Sequence, residues 1–348
     1  MLSPAIEAGV APVQEGSCTQ YMNIPNPNIN TAISRRKFCS TLAAASALLP
    51  LAGIAGNFIP PSGTKSDRPI CLFSKHLHWL EIPEMATAVA AMGYDGIDLT
   101  VRKGGHIEPE KVEDELPKAV AQIRKAGLEV PMMATDIIDP KHPLTEVIIK
   151  TANKAGIKYY RTSYLDYDYS LGVAKTLEKH KKQLEELAAL NKKYNIHGAY
   201  QNHSGARVGS AVWDLWVLLK DVDPRWLGVQ YDVKHATAEG GMSWVNGLDL
   251  LKDHIHCMDI KDFYWDKTAG KWQHRLVPLG EGMVDFKKYF NLVKQYNITG
   301  PMSLHFEYPL GGADTGKKQI TISREEVLNA MKHDLLTLRN MLKEADLS

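Results

Sequence analysis

Five short segments from distant parts of the chain alternate apolar and polar residues and end in side chains capable of chemistry. They are YDGIDLT (94–100), HGAYQNH (197–203), LGVQYDVKH (227–235), HIHCMDIKD (254–262) and MSLHFEY (302–308). Alternation at period two marks a strand with one apolar face, because successive side chains point to opposite sides. Val229 and Tyr231 take one parity and Gln230 and Asp232 the other; Met302, Leu304 and Phe306 oppose Ser303, His305 and Glu307; Ile97 and Leu99 oppose Asp98. Asp98, Gln201, Asp232 and Glu307 therefore share the face turned away from the apolar packing. Helical periodicity separates the segments, most clearly over 116–126, 171–194, 212–220, 285–296 and 323–343.

Strands in alternation with helices imply an α/β protein with a parallel sheet. Eight strands are expected, near 70–74, 96–100, 129–134, 157–161, 196–201, 226–232, 254–260 and 301–307. Eight such units in roughly 280 residues fit a (β/α)8 TIM barrel, in which strand C-termini converge on one site. A doubly wound open sheet is the alternative, but no GxGxxG follows the first strand. The expected organisation is an N-terminal extension, 1–66, and a single barrel domain, 67–348. The long aromatic stretch 262–283 is expected to be a loop over the barrel mouth.

The formal charge is +1, with Lys and Arg spread along the chain. This argues against a nucleic-acid partner held by a basic face and leaves a small molecule as the expected partner. Nothing in the sequence sets an oligomeric state. The cysteines at 18, 39, 71 and 257 include no CxxC pair, and Cys71 and Cys257 fall inside strands as expected buried thiols.

Ser34-Arg35-Arg36-Lys37-Phe38 precedes an uncharged run, 38–59, rich in Ala and Leu. The pattern resembles a twin-arginine export signal, with Met22 an alternative start. The run is long enough to span a bilayer, but Pro50, Gly53, Gly56 and Asn57 weaken it as a permanent anchor. The expectation is a periplasmic protein with no stable membrane association once the signal is removed, and a membrane-anchored one if it is not.

The segments GYDGIDLTVR, QNHSG, QYDVKH, DIKDFYW, VPLGEGMVDF and SLHFEY carry a further likeness. Across about 67–345 the chain resembles the xylose-isomerase-like TIM-barrel family, the sugar phosphate isomerase/epimerase-like proteins. The resemblance implies a divalent metal held by Glu, Asp, His and Glu on strands five to eight, with a substrate-contacting His three residues after the Asp. Asp232 and His235 match the Asp-x-x-His pair, and Glu307 matches the last Glu. Gln201 stands where the family has Glu, and Asp259 where it has His. All four expected ligands, Asp232, Glu307, Gln201 and Asp259, would supply oxygen, favouring Mn²⁺ or Mg²⁺ over Co²⁺ or Zn²⁺.

Gln201 cannot take a proton, so two opposed carboxylates are not available and a single base is expected. The candidate catalytic residues are Glu307, His203 and Lys261. His235, Arg161, Lys75 and His106 are candidate substrate contacts, with His78 and Asp136 at other strand ends. Competing readings are simpler: Asp232 caps a helix, Asp259 pairs with Lys261, and His256 is structural. Trp213, Trp216 and Trp226 are expected in packing, and Trp244, Trp265 and Trp272 on sugar rings.

The functional expectation is an exported, metal-dependent carbohydrate isomerase or epimerase working through enolisation. A lyase cleaving 3-keto-glycosides by β-elimination and a non-catalytic sugar-binding barrel are the alternatives. Changing Arg35 and Arg36 together to Lys is expected to hold the full-length precursor in the cytoplasm. Cell fractionation reads this directly, and unchanged export would exclude the twin-arginine route.

Overall fold

The structure, a computed structural model, describes residues 67–348; the segment expected to be an export signal lies outside the described residues. In chain order the elements are β1 (Ile70–Phe73), α1 (Ile82–Met92), β2 (Gly96–Val101), α2 (Val112–Lys125), β3 (Glu129–Thr135), α3 (Pro143–Lys154), β4 (Tyr159–Arg161), α4 (Val173–Lys193) and β5 (His197–Gln201). They continue with α5 (Val212–Leu219), β6 (Leu227–Asp232), α6 (Val233–Gly240), α7 (Trp244–Leu251), β7 (Ile255–Ile260), β8 (Asp262–Thr268), β9 (Lys271–Val277), α8 (Phe286–Gln295), β10 (Met302–Leu304) and α9 (Arg324–Glu344). Strands β1 to β7 and β10 close into a barrel, β10 lying between β7 and β1. Every barrel pairing is parallel. This is the (β/α)8 architecture that the alternation implies.

Parity decides what faces inward. Val229, Tyr231, Met302 and Leu304 are buried in the apolar core, while Gln230, Asp232, Asp259 and Ser303 are buried polar groups of the opposite parity. Register then levels the polar residues: Gln201 lies beside Gln230, Asp232 beside Asp259, and Asp259 beside Ser303. Asp98 joins them from β2, its carboxylate accepting from Ser303 Oγ at 2.8 Å. The helices seal the outside. On α9, Val327, Met331, Leu335, Leu338 and Leu342 are buried at spacings of three and four, one face of a helix. Each such side chain contributes about 1.5–3 kcal/mol by leaving water. Ser323 and Glu326 close a capping box at its start.

Where the chain turns back into the barrel, Gly300 adopts φ +113°, and a Cβ there would meet the His256 carbonyl oxygen at 2.1 Å. No other residue fits that approach.

The stretch 262–283 is not a loop. It contains the antiparallel hairpin β8–β9, paired from Asp262↔Val277 to Thr268↔Lys271. Asp262 fastens its base by accepting from the backbone N–H groups of Phe263, Gly280, Gly282 and Val284. The hairpin escapes the sequence pattern because it has no fully apolar face: Trp265 and Trp272 remain 40% and 66% exposed.

Four tryptophan expectations also change. Trp244 is buried at the start of α7 near Tyr289 and does not line the cavity at the mouth. Trp213 is 55% exposed, not packed, whereas Trp216 and Trp226 pack against the core. Neither Trp265 nor Trp272 lines the cavity at the mouth. Cys71 and Cys257 are free and buried. His256 is structural, its Nε2 bonded to the Pro224 carbonyl. Among the described residues no helix is long and apolar enough to cross a membrane.

Candidate active site

A cavity of about 150 Å³ opens at the C-terminal end of the barrel strands. Lys75, Arg161, Gln201, His203, Lys261 and Glu307 line it, with Phe73, Arg102, Tyr164 and His305 completing the wall. Larger hollows exist on the surface, one of about 420 Å³ beside His78 and His106. The small cavity is the chemically relevant one, because the buried charges of the barrel meet there.

Asp232 ends β6 and serves as the N-cap of α6, its Oδ1 accepting from His235 N–H at 3.0 Å. Its Oδ2 lies 2.9 Å from Gln201 Nε2 and 3.1 Å from Lys261 Nζ. Asp259 takes Gln230 Nε2 at 2.7 Å on Oδ1 and Gln201 Nε2 at 2.6 Å on Oδ2. Glu307 receives Lys75 at 3.3 Å on Oε1 and Lys261 at 3.0 Å on Oε2. Asn202 braces this end of β6, donating to the Asp232 carbonyl and accepting from the Asp232 N–H.

Gln201 orders the arrangement. Its oxygen accepts from Arg161 Nη1 at 3.1 Å and from the Tyr164 hydroxyl. Its nitrogen bridges the Asp232 and Asp259 carboxylates. Donors on one side and acceptors on the other fix the amide's orientation.

Burial pushes the Asp259 carboxyl up to about 6, with Arg161 and Lys261 limiting the rise. Burial would raise Glu307 too, but the ammonium groups of Lys261 and Lys75 hold it well below the usual carboxylate range. For Lys261 the opposing effects are burial, which lowers, and Asp232, Glu307 and Asp259, which raise; the carboxylates win. Burial and then the Lys261 charge bring His203 down to about 4, so its imidazole is neutral at pH 7. His305 stands 3.3 Å from Asp259, but burial holds it well below its ordinary value and the contact is not an ion pair.

These residues do not fit a divalent metal as they stand. Each of the six carboxylate oxygens of Asp232, Asp259 and Glu307 already faces an N–H donor. Gln201 presents its nitrogen, not its oxygen, to the two aspartates in this structure. A fixed positive charge, Lys261, stands between Asp232 and Glu307. Among the described residues no group of three His, Cys, Asp or Glu side chains could hold a metal ion.

The other candidates divide cleanly. Lys75, Arg161, His203, Lys261 and Glu307 meet at the cavity. His235 sits behind it, 3% exposed, its Nδ1 2.7 Å from Ser204 Oγ and its ring 4.0 Å from that of His203. His106 turns to Thr100 and His78, away from the cavity. Asp136 instead accepts from the Lys103 N–H. Asp259 pairs with the glutamines, while Lys261 goes to Asp232 and Glu307, against the simple Asp259–Lys261 reading.

Sequence reasoning missed Gln230, Arg102 and Tyr164. Gln230 was accessible from its parity with Asp232. Arg102 and Tyr164 lie one and three residues beyond β2 and β4, where no periodicity operates.

Gln201→Glu is expected to destabilise the fold by about 1–3 kcal/mol at pH 8, because it sets a third carboxylate against Asp232 and Asp259 and removes their shared donor. The new carboxyl binds its proton more tightly folded than unfolded, so the penalty grows as pH rises and shrinks at pH 5. Urea unfolding at the two pH values checks the sign; an equal loss at both would contradict this role for the amide.

The profile of the family described as xylose isomerase-like TIM barrel matches residues 86–326. A Haemophilus influenzae protein named provisionally as the L-ribulose-5-phosphate 3-epimerase SgbU is 32% identical over 92 residues, 25% of this chain and 30% of that protein. The chain thus spans under a third of the length of that relative. Among solved structures, a D-psicose 3-epimerase in the presence of D-fructose superposes with a TM-score of 0.59 at 14% identity, over 79% of this chain and 99% of that one. The apo 3-keto-D-glucoside 4-epimerase YcjR of E. coli gives 0.56 at 14%, over 78% and 99%. A xylose isomerase-like barrel of Mycobacterium smegmatis in complex with magnesium gives 0.57 at 14%, over 78% and 100%. At such identities the superpositions establish the fold alone, whereas the profile match covers more than half of the chain: this protein belongs to the xylose isomerase-like TIM-barrel family.

Proposed function

We propose that the chain is an exported carbohydrate isomerase or epimerase that moves a proton at a carbon beside a carbonyl of a small sugar held in the mouth cavity. The observation that carries this reading is the position of Glu307, the one carboxylate among the described residues that lines the cavity, faced by two ammonium groups. Relatives named for epimerisation of ketoses and of a 3-keto-glucoside support the substrate class. Export favours an unphosphorylated sugar, since phosphorylated sugars are chiefly cytoplasmic.

Enolisation needs a base at the C–H and positive charge at the carbonyl oxygen. Glu307 and the neutral imidazole of His203 are the bases within the cavity. The proton passes to one of them, the C–H electron pair forms the enolate double bond, and charge gathers on oxygen. Lys75 and Lys261, already ordered by Glu307, supply donors to that oxygen without reorganising. Isomerisation follows when the hydroxyl proton of the neighbouring carbon passes to the former carbonyl oxygen and the carbon-bound proton returns to the former carbonyl carbon. Epimerisation follows when the other of the two bases delivers a proton to the opposite face of the original carbon.

A second reading draws on the Gln201 amide, which stands where an opposed carboxylate would otherwise act. With one base, the enolate of a 3-keto-glycoside can instead expel the C1 substituent with the bonding electrons of its C–O bond, which is β-elimination.

Incubation in D₂O with D-fructose, D-psicose, D-tagatose and a 3-keto-D-glucoside, followed by NMR, separates these chemistries. Deuterium at a retained carbon beside the carbonyl is the expected result, reduced on the order of 10²–10⁴-fold in Glu307→Gln. Release of the aglycone would assign the lyase. Neither exchange nor release with any of them would leave a sugar-binding barrel.

A further inference from the structure

The disagreement between the expected metal and the observed donors has a positive content. Lys261 follows β7 directly, and its side chain is 3% exposed at the inner wall of the cavity. Its Nζ lies 3.1 Å from Asp232 Oδ2 and 3.0 Å from Glu307 Oε2, the carboxylates that the sequence pattern offers to a cation. A divalent ion bridging the same oxygens would need the same space. It would also meet the like charge of Lys261 at contact distance in a site shielded from water.

Nor are the remaining ligands free. Asp259 is held by Gln230 and Gln201, and the Gln201 oxygen by Arg161 and Tyr164. An ammonium group has three N–H donors. Asp232 and Glu307 take two, and no other described residue accepts the third.

We infer that Lys261 is the permanent cation of this site, occupying the place of a divalent metal, and that its remaining N–H binds an oxygen of the ligand. The binding part rests on the sugar-directed reading above; the cation part does not. Asp232 is then a counter-ion and helix cap, and the charge that would organise substrate oxygens is encoded in the chain itself. Lys261 stays in place when chelators are present.

The test is Mn²⁺ binding to the full chain, followed by calorimetry and by the electron paramagnetic resonance of the free ion, which needs no substrate. Wild type is expected to show no saturable site. Lys261→Met, which leaves Asp232 and Glu307 facing each other without a cation, is expected to bind Mn²⁺ on the order of 100-fold more tightly and to recover thermal stability when the ion is added. Lys261→Gln serves in its place if the methionine variant does not fold.

One saturable Mn²⁺ per wild-type chain, lost in Asp232→Asn, would overturn the inference. Absence of binding in wild type and in the neutral variants alike would also overturn it, since the lysine would then not stand in a cation site. Failure to turn over any sugar would leave these outcomes untouched and bear only on the proposed activity.

Discussion

The top of this barrel is organised by an ammonium group set between two carboxylates. Asp232 and Asp259 are fully buried and Glu307 is about a quarter exposed, the three being linked through Lys261 and Gln201, an arrangement of like charges that water would ordinarily have to screen. Isolated burial of even one ionised carboxylate is prohibitive. Lys261 neutralises Asp232 and Glu307 together, Lys75 adds to Glu307, and the glutamine amides satisfy Asp259. Such networks persist only when each member finds its partner, because one orphaned charge costs more than the network returns. The low protonation tendency of Glu307 follows from the charges of Lys261 and Lys75, the neutrality of His203 from burial and then Lys261, and the orientation of Gln201 from the Arg161 and Tyr164 donors facing its oxygen.

The barrel supplies the positions. Parallel register places Asp232 beside Asp259, and β10 brings Glu307 round to close the ring next to Lys261. Apolar side chains of the other parity bind the strands to the helices, so the polar interior is held rigidly without contributing hydrophobic stabilisation itself. Asp262, immediately after Lys261, gathers four backbone N–H groups and fixes the hairpin at the point where β7 leaves the barrel. The chain on either side of Lys261 is thereby constrained, by the sheet before it and by the Asp262 nest after it.

Period-two alternation made the barrel strands legible within a residue or two, since one face of each is apolar; only the last is cut short, at Leu304. The helices read over 171–194, 212–220, 285–296 and 323–343 fall within two residues of α4, α5, α8 and α9, whereas α2 starts at Val112, four residues before the expected 116. The hairpin was not readable, because its exposed tryptophans and charges carry no apolar period. Within the site, strand parity pointed to Asp232, Gln201 and Glu307, and the family resemblance to Asp259 and Lys261. Neither revealed their partners. Whether Gln201 shows oxygen or nitrogen to Asp232 depends on Arg161 and Tyr164, which reach it from a neighbouring strand and its loop. Whether Lys261 meets Asp259 or Asp232 depends on side-chain direction across three strands. Those are properties of the closed barrel and not of any local run of residues.

The central claim is that a lysine performs the electrostatic work at this site. The most direct measurement is exchange of the proton beside the carbonyl of a bound sugar with solvent, followed after exhaustive EDTA treatment of the wild-type protein and of Lys261→Met. The account predicts exchange that survives EDTA in wild type and is lost in the variant. Exchange that EDTA abolishes in wild type and Mn²⁺ restores would contradict it.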